Sequence, residues 1–136
     1  MPARTSRKPK PSVTLKDAFE TEFARREMER RAREEAERLQ QEQDLAKAEA
    51  LFDAINSDAK FLKAHGLTVD RRRYTVSVDH ANFRIAAYFE DGQASVTSAD
   101  KRFASPGAAT PRKQESVATV EDAVRIIAQF LADEIR

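Results

Sequence analysis

The chain has 136 residues, 40% hydrophobic and 35% charged, with a formal net charge of +1 and no cysteine; it suits one ordinary domain with an appendage and excludes disulfides and thiolate metal sites. No apolar run approaches the roughly 18 residues of a membrane span, and the charged N-terminus lacks the apolar stretch of a secretory signal, so the cytoplasm is the expected compartment. Five bases and no acid fall in residues 1 to 16, so a basic tail precedes a remainder that is acidic on balance.

Residues 1–12, "MPARTSRKPKPS", have no apolar periodicity and carry Pro2, Pro9 and Pro11, which predicts a disordered segment. Its bases Arg4, Arg7, Lys8 and Lys10 suit salt-sensitive contacts with phosphates. From Val13 to His65 there is neither glycine nor proline. Thr14 with Asp17 reads as a capping start and Gly66 as a stop, which predicts a single helix over 13–65, about 75 Å long. That length points to a coiled coil or a free-standing helix.

The apolar positions divide this helix. Leu15, Ala18, Phe19 and Phe23 make a small patch on one face near its start. Leu45, Ala48, Phe52, Ile55, Ala59 and Leu62 recur at spacings of three and four within an amphipathic part, 45–64, with Leu51 and Phe61 on its flank. Between them, the stretch 25–44 has only Met28 and Leu39 as apolar side chains larger than alanine. It is instead filled with acid–base pairs four apart: Glu27–Arg31, Glu29–Arg33 and Glu34–Arg38 with the acid first, and Arg30–Glu34, Arg31–Glu35, Arg33–Glu37 and Arg38–Glu42 with the base first. Such pairs support a helix with no partner surface, so 25–44 reads as a charged spacer. A weak coiled-coil seam through Met28, Ala32 and Leu39 is the alternative.

Residues 66–136 predict a small α+β domain. "RRYTVSVD" and "NFRIAAYFE" alternate with period two, and Asp91-Gly92 is a two-residue hairpin signal that sets Phe89 opposite Ala94 and Ala87 opposite Val96. With "QASVTS" these form a three-stranded antiparallel meander. Residues 99–117, with Pro106-Gly107 and Pro111, read as a long loop. Thr119 with Asp122 opens a last helix whose stripe includes Val120, Val124, Ile127, Leu131 and Ile135. The segment is short for an independent core, so the 45–62 seam is expected to pack on this sheet or against its copy in a dimer. The order of one helix, three strands and a second helix is similar to that of double-stranded-RNA-binding domains. Glu121 and Asp122 stand where those domains present lysines, so the order alone assigns no family.

Three glycines in all cannot build a phosphate-cradling loop or a dinucleotide fingerprint. His65 at a helix end and His80 in a turn read as solvated turn residues, and no nucleophile has a base spaced to activate it. No catalytic, metal-binding or cofactor-binding residue is therefore expected. The expected function is a non-enzymatic interaction protein, a scaffold or adaptor, homodimeric through its long helix. Leu15, Phe19 and Phe23 are the surface for a second copy or an unidentified protein partner. The alternative is nucleic-acid association through the tail bases together with Arg71, Arg72, Arg73, Arg84 and Tyr88 on an outer sheet face.

Overall fold

The computed structural model describes residues 12–102 and 110–135. In chain order they form α1 (Leu15–Asn56), α2 (Ala59–Ala64), β1 (Thr68–Arg72), β2 (Thr75–Asp79), β3 (Phe83–Glu90), β4 (Gln93–Asp100), β5 (Thr110–Val117) and α3 (Val120–Glu134). The chain divides between Glu37 and Arg38 into two compact units. Residues 1–11 of the predicted disordered tail, with Arg4, Arg7, Lys8 and Lys10, lie outside the described residues.

The first unit holds the N-terminal part of α1. Its start is the one the sequence signals, since the Asp17 amide donates to Thr14 Oγ1 at 3.1 Å. No described residue from 12 to 37 is buried. The helix carries charge networks along its length. Arg30 donates to Glu27 at 2.8 Å and to Glu34 at 2.5 Å, and Arg25 bridges Glu22 and Glu29. Each arginine thus spans an acid three residues before it and one four residues after it. Hydrogen bonds from Arg25 and Arg26 hold the Glu22 carboxyl below the usual range, and Arg30 does the same for Glu27.

The second unit contains the rest of α1 with α2, the sheet and α3. All five strands pair antiparallel with their chain neighbours, in the order β1-β2-β3-β4-β5. The meander predicted from three strands is present as β2, β3 and β4, with Phe89 opposite Ala94 and Ala87 opposite Val96 as the hairpin signal requires. Asp91 and Gly92 have φ of 52° and 83°, the two left-handed residues of a type I′ turn.

Three expectations need correction. The sheet has five strands rather than three, because Thr68–Arg72 and Thr110–Val117 add an edge strand on each side. The expected loop over 99–117 is accordingly shorter, for β4 runs through Asp100 and β5 begins at Thr110. The single helix over 13–65 is two helices. At the break, Ser57 Oγ donates to the Ala54 carbonyl at 2.6 Å, and Asp58 leaves helical geometry at φ −94°, ψ 45°. Neither glycine nor proline marks that break. Gly66, at φ 66°, does end α2 as predicted, and the Leu67 amide closes back on the Leu62 carbonyl at 2.8 Å.

One face of the sheet makes the core. Val76, Val78, Ile85, Ala87, Phe89 and Val96 alternate inward along β2 to β4 and pack with Ala48, Leu51 and Ile55 of α1 and with Ile127 and Phe130 of α3. The amphipathic part of α1 therefore lies against the sheet of its own chain. Its buried line is Asp44, Ala48, Leu51 and Ile55, rotated from the predicted seam so that Leu51 is central while Leu45 and Phe52 are half-buried. Asp44 belongs to that line because its carboxylate accepts from the Asp91 and Gly92 amides, each at 2.9 Å. The two consecutive left-handed residues aim both amides at one anion. Lys47 Nζ adds a 2.9 Å bond to the Gly92 carbonyl. α3 begins as predicted, with Thr119 Oγ1 accepting from the Asp122 amide at 3.0 Å. Among the described residues, no helix is long and apolar enough to cross a membrane.

Candidate interaction surfaces

Leu15, Phe19 and Phe23 share one face of α1 by their spacing of four. They are 87%, 62% and 53% exposed, and the two phenylalanine rings stack at 5.7 Å between centroids. Ring stacking hides little of either side chain from water, so the patch remains an open apolar surface on a helix whose other exposed positions are mostly charged. Arg26, one turn beyond Phe23, pairs with Glu22 at 3.2 Å and is largely exposed.

A second apolar surface lies in the other unit. The end of α1 together with α2 forms one wall of a groove of about 310 Å³, and α3 forms the opposite wall. Ile55, Leu62, Val78, Ile127 and Leu131 are its buried floor, and Ala54, Ala128 and Ala132 are exposed along its sides. Phe61 and Val124 stand exposed among the lining residues. Asp58 also lines the groove, caps no α2 amide with its side chain, and meets no base among the described residues. Sequence periodicity gave Val124 and Ile135 a place on the α3 stripe. It did not show that part of this stripe faces a groove, because the opposite wall comes from elements distant in the chain.

Next to the groove, sharing His65 and Ile135 with it, is a polar pocket of about 210 Å³ that also takes His80, Asn82, Arg102 and Glu134. Both histidines of the chain thus meet in one place, which treatment of each as a separate turn residue missed. His80 stacks on Phe83 at 4.6 Å, and its Nδ1 accepts from the Asn82 amide at 3.0 Å, which leaves the ring proton of the neutral form on Nε2. Arg102 donates to Asp100 at 3.2 Å, and that bond, together with the nearby charges of Asp100 and Glu134, raises its pKa. Among the described residues, no three His, Asp or Glu side chains gather in a metal-binding arrangement.

Of the residues considered for nucleic acid, Arg71, Arg72, Arg73, Arg84 and Tyr88 lie among the described residues, and these do not all share one face. Arg71 sits opposite Val76 on β2, a core-facing position, and its guanidinium reaches Glu49 of α1 at 3.8 Å. Arg73 occupies the β1–β2 turn at φ 53°. Arg84 and Tyr88 do share the outer face, but Arg84 is bonded to Asp79 at 2.6 Å. Asp79 also accepts from Lys101 at 2.9 Å. Burial pushes the Asp79 carboxyl up, and the hydrogen bonds from Arg84 and Lys101 outweigh it and hold the group below the usual range. Arg72, also expected on this face, lies there by strand parity, 3.5 Å from Asp70. Arg72 and Arg84, on this face, are thus each matched by a carboxylate. No family model matches the chain, and neither does any curated protein or solved structure.

Proposed function

We propose that this chain is a non-enzymatic interaction protein, a scaffold or adaptor acting in the cytoplasm, that forms a homodimer through α1. The observation that supports this reading is the uncovered Leu15–Phe19–Phe23 face. Burying a leucine or phenylalanine side chain is worth about 1.5–3 kcal/mol, so three exposed together favour a covering partner. The charged stretch behind the patch supports its own helix through pairs such as Arg30–Glu34 and Arg38–Glu42, which leaves the apolar patch available for contact with another molecule.

The test is sedimentation equilibrium on the full chain and on the double variant Phe19→Glu/Phe23→Glu. The wild type is expected to pass from monomer to dimer mass as concentration rises. The variant should stay monomeric, with an unchanged circular dichroism spectrum because neither side chain contributes to the core. A wild-type chain that stays monomeric up to millimolar concentration removes the reading.

A further inference from the structure

We infer that the groove between α2 and α3 receives the Leu15–Phe19–Phe23 face of α1 from a second copy, so that two copies exchange these helices reciprocally. This rests on the self-association proposed above and goes beyond it in naming both sides of the contact.

The two surfaces match in kind, in length and in charge. Helix-in-groove recognition places anchors spaced by three and four into an apolar channel, and Leu15, Phe19 and Phe23 are such a series. The groove has helical walls, and alanines at 54, 128 and 132 let an incoming backbone come close. Along α3 the lining runs from Val124 to Ile135, about 16 Å at 1.5 Å per residue. Leu15 to Arg26 covers the same length of helix. Arg26 continues the patch face one turn past Phe23, and Asp58, the lining carboxylate with no base beside it among the described residues, suits it as a partner. Pairing these two sets the direction, with Arg26 at the α2 N-terminus and Leu15 toward Ile135.

Reciprocity also favours a second copy as the occupant. Each chain carries one patch and one groove, so a two-fold exchange makes the contact twice and closes both surfaces on both copies. Stable interfaces bury about 1,200 Å² or more, and doubling a three-anchor contact moves toward that area. Patch against patch would bury the same three side chains once per copy and leave Phe61 and Val124 open.

The chain has no cysteine, so introduced thiols report the contact directly. Ala18→Cys, beside Phe19, and Ala128→Cys, in the groove, are placed in separate chains of different tag length, mixed, and treated with a short bis-maleimide. A mixed covalent dimer is expected, forming faster than either same-chain product. If Ala18→Cys instead couples mainly to itself, self-association stands and this inference falls. If nothing couples and the wild type is monomeric, both fall. Charge exchange gives an independent check by sedimentation. Arg26→Glu and Asp58→Arg should each weaken dimerisation about tenfold, and the double variant should restore it, as expected for a paired contact. Additive losses in the double variant overturn the assigned pairing.

Discussion

Asp44 is 4% exposed, and its two carboxylate oxygens take the Asp91 amide, the Gly92 amide and the Gln40 side-chain amide. A buried carboxylate is expensive unless its lone pairs are filled by donors, and this turn supplies two of them from backbone that has no strand partner. The bond network fixes where α1 crosses the sheet, because the hairpin tip has one position and Asp44 must reach it. Replacing Asp44 with alanine leaves those amides without their acceptor and should lower stability by about 2 kcal/mol. Asp44→Asn keeps the volume and one acceptor oxygen and should lose less. Urea unfolding of the two variants beside the wild type measures both. Equal midpoints for alanine and wild type would mean that the turn holds its place without the carboxylate. In the sequence Asp44 looked like one more acid in a charged run, since nothing local distinguishes a carboxylate that caps a distant turn from one in water.

Strands were legible in proportion to how much of them is buried. β3 buries every second residue, with exposed or half-buried ones between, and its sequence shows that period plainly. β1, "TVDRR", has a single apolar residue, and β5, "TPRKQESV", has one apolar residue besides its proline. Both are edge strands whose identity comes from pairing with β2 and β4 rather than from burial, and charged or proline-bearing edges resist further pairing. Periodicity reports burial, so β1 went unassigned and β5 fell within the expected loop. The patch on α1 was visible because its three members lie four apart in one stretch of chain, whereas the groove, assembled from α1, α2, β2 and α3, was not.

The stretch 25–44 of α1 is a further test at this scale. A peptide of those residues should be substantially helical at low salt, to a degree independent of its concentration, because its support is side-chain pairs within one helix. Raising salt to about 1 M shortens the screening length to about 3 Å and should reduce the helicity. A coiled-coil segment would instead gain helicity with concentration, and circular dichroism over a dilution series separates the two.

At the scale of the whole molecule, every buried apolar residue among those described lies at Ala48 or beyond, whereas none of the described residues 12–37 is buried. The fold and the patch therefore depend on different parts of the chain. A fragment of residues 38–136 should unfold cooperatively, with a free energy within about 1 kcal/mol of the full chain at concentrations where the latter is monomeric. Their behaviour should diverge as concentration rises. Self-association that favours the native state stabilises it by mass action, so the melting temperature of the full chain should climb with concentration. The fragment, which lacks Leu15, Phe19 and Phe23, should melt at one temperature throughout. A fragment that fails to fold would show that the N-terminal half of α1 contributes to the core. A fragment whose melting temperature also climbs would place the association within residues 38–136, where Phe61 and Val124 are the exposed apolar side chains of the groove. The fragment has the groove and no patch, so a climbing full chain beside a constant fragment shows that association needs residues 1–37. The cross-linking of Ala18→Cys to Ala128→Cys then separates patch-in-groove from patch-on-patch.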